Sequence, residues 1–244
     1  NYNIMKKQFT VLFSLFCIGT GAIKAQPFTN LLNFNDTTGG APWGSLTASY
    51  SGDTLFGMTE YGGIYNEGCI FSINKDGSGY TDILDFNDTN GMYPLGSLTL
   101  SGNVLYGMVQ GGTINNGNVF SINTDGSGYT DLLDFNTTNN ASGPIGSLVI
   151  SGDKLYGMTP YGGTNAWGNI FSMNKNGGGY KDLLDFNGTN GLFPRRSLTL
   201  SPTGDTLYGM VEEGGANGYG GIFSIDTNGS GYKDLLDFND TNGA

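Results

Sequence analysis

SLVISGDKLYGMTPYGGTNAWGNIFSMNKNGGGYKDLLDFN, Ser147 to Asn187, is one of four near-copies in this 244-residue chain. The others begin at Ser45, Ser97 and Ser197. Phe34, Phe86, Phe135, Phe186 and Phe238 hold equivalent places and stand 52, 49, 51 and 52 residues apart. The tetrads LFGM, LYGM, LYGM and LYGM, starting at Leu55, Leu105, Leu155 and Leu207, keep the same step. A period near 50 defines a repeat architecture and so decides the fold.

Each copy reads as four strands with turn chemistry between them. The first strand is SLTAS, SLTLS, SLVIS or SLTLS. Gly52-Asp53, Gly102-Asn103 and Gly152-Asp153 predict two-residue hairpins, because Gly in first place gives the twist that flanking strands need. The fourth copy has the longer SPTGD, Ser201 to Asp205. LYGM forms the second strand, CIFSI, NVFSI, NIFSM or GIFSI the third, and TDILDFN or KDLLDFN the fourth. Asp-Gly and Asn-Gly separate the last two, a strong hairpin signal. No segment carries a helical period.

Alternation predicts both faces of each sheet to be apolar. Phe171 and Met173 oppose Ile170, Tyr156 and Met158 oppose Leu155, and Leu184 and Phe186 oppose Leu183. A sheet apolar on both faces needs a neighbour on each side, and radial stacking of four-stranded blades supplies it. The fold class is therefore all-β, a β-propeller-like array. A stacked β-solenoid is the rival architecture. The sequence holds five copies of strand four but four of the others, and it stops before the Pro that follows in earlier copies. That predicts an incomplete array, with a closed four-bladed ring plus a spare strand as the alternative.

Residues 1–25 read as a secretory signal with a short upstream extension: Lys6 and Lys7, an apolar run, and small residues ending at Ala25. The repeat region is 26–244. Export to the cell surface or medium follows, with no membrane insertion once the signal is removed. Beyond the leader 7 basic residues face 21 acidic ones, a formal charge of −14 that repels nucleic acid. With Cys17 in the leader and Cys69 alone, disulfides do not hold the fold. The chain has no His, the commonest general base.

The spaced pattern Leu-x-x-Phe, Pro, Ser-Leu, Leu-Tyr-Gly-Met, Gly-Gly, Ile-Phe-Ser-Ile and Asp-Gly-Ser-Gly-Tyr resembles the GloVer tandem repeat of bacterial secreted proteins, over about Thr29 to Ala244. Met58, Met108, Met158 and Met210 depart from it, standing where Thr is more usual. The resemblance implies an exported, surface-associated array. It implies no catalytic activity and carries no functional residues over.

Candidate chemistry is sparse. Asp82 and Asp85, with Asp131 and Asp134, Asp182 and Asp185, and Asp234 and Asp237, could be catalytic pairs. Three apart on a regular strand, however, they point to opposite faces. They read instead as edge charges that hold loop amides. DFNDTNG could be a calcium loop, but no copy supplies a bidentate Glu, and an Asx-turn is the simpler reading. No catalytic set, metal or cofactor is expected.

Residues common to all copies must serve the blade, so a ligand site would use positions that differ. These are Tyr65 and Glu67, Ile114 to Asn116, Trp167 and Tyr219 in the double-Gly loops. Before the first strand they are Trp43, Leu95, Ile145 and Arg195, with Arg196 in place of Gly44, Gly96 and Gly146. The ligand-binding candidates are Trp43, Tyr65, Glu67, Trp167, Arg195, Arg196 and Tyr219. Exposed aromatics beside polar groups suit glycans, and aromatics packed on neighbouring blades are the bland alternative. Glu60, Glu67, Glu212 and Glu213 also break the repeat; two of them in a pocket with Trp167 would point to an enzyme. The expected role is a non-enzymatic surface interaction module, its partner a surface protein or glycan. The alternative is a carbohydrate-binding or carbohydrate-processing propeller.

Overall fold

The structure, a computed structural model, describes residues 28–112, 116–136 and 141–243. The leader, Cys17, Ile114 and Asn115 lie outside the described residues. The chain divides into two units, Asn1–Asn30 and Leu31–Ala244. Of the first, only 28–30 are described, and they hold neither strand nor helix.

The second unit holds four antiparallel sheets, each of four strands in chain order. Blade one is Thr47–Ala48, Thr54–Thr59, Cys69–Asn74 and Thr81–Asp85. Blade two is Thr99–Ser101, Val104–Val109, Asn118–Asn123 and Thr130–Asp134. Blade three is Val149–Ser151, Lys154–Thr159, Asn169–Asn174 and Lys181–Asp185. Blade four is Thr199–Leu200, Thr206–Val211, Gly221–Asp226 and Lys233–Asp237. The two-residue turns appear in blades two and three, where Ser101 pairs Val104 and Ser151 pairs Lys154. Blade one departs from expectation. Ser49 bonds Thr54, so Gly52-Asp53 closes a four-residue loop like that of blade four. The extra Tyr50-Ser51 accounts for it.

Consecutive blades seal three apolar seams. Between blades three and four, Tyr156, Met158, Ile170, Leu183 and Phe186 meet Leu198, Leu207, Phe223 and Ile225. The seams of blades one with two and two with three repeat this set. Fully burying each such side chain contributes about 1.5–3 kcal/mol, so the seams hold the array together. Phe86, Phe135 and Phe186 stand edge-on to Phe120, Phe171 and Phe223 across them, at centroid distances of 5.4, 5.3 and 5.6 Å.

The fourth strands correct the alternation. Leu183 and Leu184 both face the forward seam. A β-bulge explains it: Ile170 pairs Leu184 and Phe171 pairs Asp182, leaving Leu183 extra. Every blade has the bulge at the equivalent place. It reverses the parity of the strand, so residues three apart now share a face. The closed four-bladed ring does not occur. Leu46 at the rear of blade one is 51% exposed and Met210 at the front of blade four is 47% exposed.

From each fourth strand the chain returns inward and clips to the next blade. Bridges Gly40 to Tyr61, Met92 to Gly111 and Leu192 to Glu213, and the short pair Ala141–Ser142 with Tyr161–Gly162, make the clip. The residue after it is left-handed every time: Ala41, Tyr93, Gly143 and Phe193 have φ of 50, 56, 64 and 54°. A proline follows each. This pair turns the chain into the first strand of the next blade and aims the variable side chain after it.

Candidate functional site

The four turned-in segments converge on a groove of about 420 Å³ at one end of the axis. Trp43, Leu95, Ile145 and Arg195 line it, one per blade, with Glu60, Arg196 and the Gly-Ser main chain. The wall is built by close approach. A Cβ on Gly44 or Gly96 would collide with the carbonyl oxygen of the Gly that follows one blade on. A Cβ on Gly146 would likewise strike the carbonyl of Arg196. The blades are then tied by a serine ladder. Ser45 N–H donates to Ser97 Oγ at 2.7 Å, Ser97 N–H to Ser147 Oγ at 2.8 Å, and Ser147 N–H to Ser197 Oγ at 2.9 Å. Sequence reasoning did not assign these serines a role, although the recurrent Gly-Ser-Leu carried the signal.

Three of the expected ligand-binding residues meet here: Trp43, Arg195 and Arg196. Trp43 is 70% exposed, and its indole N–H donates to Glu60 Oε2 at 2.5 Å. Arg195 is held from several sides. It pairs with Glu212, donates to Tyr161 Oη at 3.3 Å, and lies 5.6 Å from the Tyr161 ring centroid and 5.8 Å from that of Phe193. Arg196 is exposed and, among the described residues, its side chain has no ion-pair or hydrogen-bond partner. These two are the only arginines in the chain.

The remaining candidates lie elsewhere. Tyr219 joins Arg195, Arg196, Met210 and Phe238 in a second groove of about 430 Å³ on the open flank of blade four. Tyr65 and Glu67 sit in the double-Gly loop of blade one. The Glu67 carboxyl is pushed up by burial and by Asp88. Trp167 packs over Gly188 in the exit turn of its own blade, where a Cβ would meet the indole at 3.0 Å. Gly188, which stands where the first and fourth copies have Asp88 and Asp240, also takes a left-handed φ of 82° there. Among the described residues, neither of these two grooves is lined by Trp167: Glu60 holds Trp43 in one, and Glu212 holds Arg195 in the other.

The repeated carboxylates also converge, contrary to the alternation argument. The bulge sets Asp182 opposite Phe171 and Asp185 opposite Asn169, on one face. The two carboxyls lie close enough to act on each other, as do the pairs in the other blades. Burial, then the neighbouring carboxylate, pushes Asp82 and Asp182 up to about 6. Asp131 and Asp234 rise for the same reasons. Burial acts upward on Asp185 too, but hydrogen bonds from Thr164 outweigh it and hold Asp185 low. The second carboxylate of the pair clamps the double-Gly loop. Asp85 accepts from Ile64 N–H at 3.1 Å, Asp185 from Thr164 N–H at 3.0 Å, and Asp237 from Ala216 N–H at 3.0 Å. A Cβ on Gly63 would occupy the place of Asp85 Oδ1. In blades two and three it is the amide nitrogen of Asn118 and Asn169 that faces the first carboxylate. The surroundings thus offer donors, which suits a structural clamp better than a cation. Among the described residues no group of three or more acids, His or Cys could hold a metal. The DFNDTNG loop is an Asx-turn: Asn87 Oδ1 accepts from Thr89 N–H at 2.9 Å and Thr89 Oγ1 at 2.6 Å.

Stacked four-stranded blades around an axial mouth define a β-propeller-like repeat protein. The sequence matches the Gloeobacter/Verrucomicrobia repeat over residues 17–149 and 108–244, and the chain belongs to that family. No curated protein matches it. The fold is similar to a chain of the nidogen/laminin complex, with TM-score 0.59 and 15% identity over 80% of this chain and 65% of that one. It is also similar to TolB from Acinetobacter baumannii, with TM-score 0.58 and 15% identity over 85% of this chain and 45% of that one. A third likeness is to the GH74 enzyme of Niastella koreensis, with TM-score 0.56 and 18% identity over 79% of this chain and 30% of that one. The chain thus spans less than two thirds of the length of each, and at these identities the likeness concerns the fold alone.

Proposed function

We propose that the chain is an exported, non-catalytic interaction module that meets its partner at the axial mouth. One observation carries this reading. The residue after each inward-turning proline differs in every blade, and those four, Trp43, Leu95, Ile145 and Arg195, line one groove. A position under purely architectural demand would repeat, as the Gly and Ser beside it do. The test is binding of the fluorescently labelled chain to intact producing cells and to their extracellular fraction. Leu95→Glu with Ile145→Glu is expected to abolish that binding and leave the thermal midpoint unchanged. Undiminished binding by the double variant refutes the mouth as the contact surface.

Carbohydrate is the second reading, favoured by Trp43. Its indole is exposed while Glu60 occupies its N–H, so the ring face is what it offers. Such a face stacks on sugar rings. A glycan-array screen of the chain beside Trp43→Ala decides this: binding lost in the variant supports it, and no glycan bound sinks it.

A further inference from the structure

The seam between blades one and two carries a groove of its own, at the far end of the first strand from the mouth. The first strand of blade one runs from Ser45 at the mouth to Ser49, and there the inserted Tyr50-Ser51 lengthens the turn. Tyr50 reaches across to blade two, where its Oη accepts from Gly102 N–H at 3.1 Å. The ring is 77% exposed although its hydroxyl is tied. It is thus held in place and largely uncovered. Beside it lies a groove of about 420 Å³ with Phe56 and Leu100 as its apolar lining.

At the corresponding place the other two seams are bridged by different groups. Lys175 of blade three reaches back to blade two, its Nζ donating to Ser101 Oγ at 3.2 Å. Between blades three and four, Ser151 Oγ donates at 3.2 Å to the carbonyl of Gly204, in the longer SPTGD loop. The counterpart of Lys175 in blade two is Thr124: both backbone N–H groups donate to the turn residue's carbonyl, of Asp153 and Asn103 respectively. Threonine is too short to cross the seam as Lys175 does.

The same two positions set the charge. Blades one, three and four have an aspartate in the turn, Asp53, Asp153 and Asp205, and in blade one it pairs with Lys75 at 2.5 Å. Blade two alone has an amide there, Asn103, facing Thr124 rather than a lysine. From the other wall come Thr54 and Ser72, which share a face with Phe56 because Phe56 pairs with Ser72. Among the described residues the side chains of Thr54, Ser72, Asn103 and Thr124 form no hydrogen bond, and all four line the groove. No charged side chain lines it.

We propose that this groove binds a neutral hexose, a glucose-type ring with equatorial hydroxyls. Such a ring has an apolar face, which stacks on Tyr50, and a rim of hydroxyls, which meets the four unengaged polar side chains. The volume suits a small-ligand cleft. An anion would find no cation in the lining and would meet the acidic body of the protein. A cation would find no lining carboxylate. Both walls belong to described blades, and the site is separate from the mouth.

The experiment is calorimetric titration of the full chain with cellotriose, using wild type, Tyr50→Ala, the double variant Asn103→Asp with Thr124→Lys, and Trp43→Ala. The double variant installs in blade two the pair that blade one already holds, so it folds as wild type does, which thermal unfolding verifies. Cellotriose is expected to bind wild type and to weaken tenfold or more in Tyr50→Ala and in the double variant. Its affinity for wild type should be the same at low and high salt, because no charge takes part. Binding that Tyr50→Ala and the double variant both leave intact overturns the groove; if Trp43→Ala removes that binding, the sugar belongs to the mouth instead. No binding of cellotriose at millimolar concentration also overturns the proposal, while the cell-binding test judges the mouth independently.

Discussion

Blades three and four present nearly the same forward flank, yet one is sealed and the other is bare. Tyr156 and Met158 are 6% and 2% exposed; their counterparts Tyr208 and Met210 are 40% and 47% exposed. The residue type is therefore not what buries these side chains. Burial comes from the next blade's Leu198, Leu207 and Phe223. The rear of blade one makes the same point in part. Phe34 takes the place of the preceding blade's Phe, edge-on to Phe71 at 5.3 Å, and Tyr80 Oη donates to Thr38 O at 3.0 Å. Leu46 nevertheless stays open, because that single segment covers only the outer half of the flank.

Identical substitutions in the two regions measure what a seam contributes. Met158→Ala removes a fully enclosed side chain and should cost about 2–5 kcal/mol. Met210→Ala removes a half-exposed one and should cost about 0.5 kcal/mol or less. Urea unfolding of the two variants gives the comparison directly. Equal losses would mean that the seams are not where the stability resides.

The carboxyl pairs sharpen the comparison from the side of the loops. Asp82 and Asp182, raised to about 6 by burial and by their partner acids, bind protons in the folded chain that the unfolded chain releases near pH 4. Their contribution is full below that pH and is lost as pH rises through about 6. The thermal midpoint should therefore fall between pH 4 and pH 7. Asp182→Asn, which keeps the shape and removes the charge, should flatten part of that fall. A profile unaltered by Asp182→Asn would show that the pair does not titrate as its geometry implies. Being partly exposed, each pair acts less strongly than an enclosed seam residue.

How far the sequence could be read follows from which features repeat. Period, strand content and two-sided burial were legible because the Leu, Phe, Tyr and Met positions recur in step. The bulge was not, because one extra residue in TDLLD leaves the apolar pattern intact while it moves Asp182 onto the face of Asp185. Trp43, Arg195 and Arg196 were legible as candidates because they depart from a strict repeat, and the fold brings the three to one groove. Glu60 was visible as a departure but not as a partner, since seventeen residues separate it from Trp43 and only the fold joins them. Trp167 showed the limit of that logic. It packs over Gly188 in its own blade and does not line the mouth.

The smallest predicted effect concerns a mismatch between two blades. In blade three, Thr159 pairs with Asn169, and its hydroxyl donates to Asn169 Oδ1 at 2.7 Å. In blade two the paired residues are Val109 and Asn118. Among the described residues, Asn118 Oδ1 is buried there and finds no donor. In blade one Thr59 faces Cys69, and in blade four Val211 faces Gly221, which needs none. Blade two alone combines the asparagine with a side chain that cannot serve it. Val109→Thr should supply the missing hydroxyl in a nearly isosteric side chain. A buried acceptor left unpaired costs about 1–3 kcal/mol, and part of that returns as the new hydroxyl gives up its own water. The expected gain is about 1 kcal/mol by urea unfolding. The same change at Val211, where Gly221 offers no acceptor side chain, should lose stability instead. Stabilisation at both positions would show that a hydroxyl is favoured at this place for a reason other than the asparagine opposite.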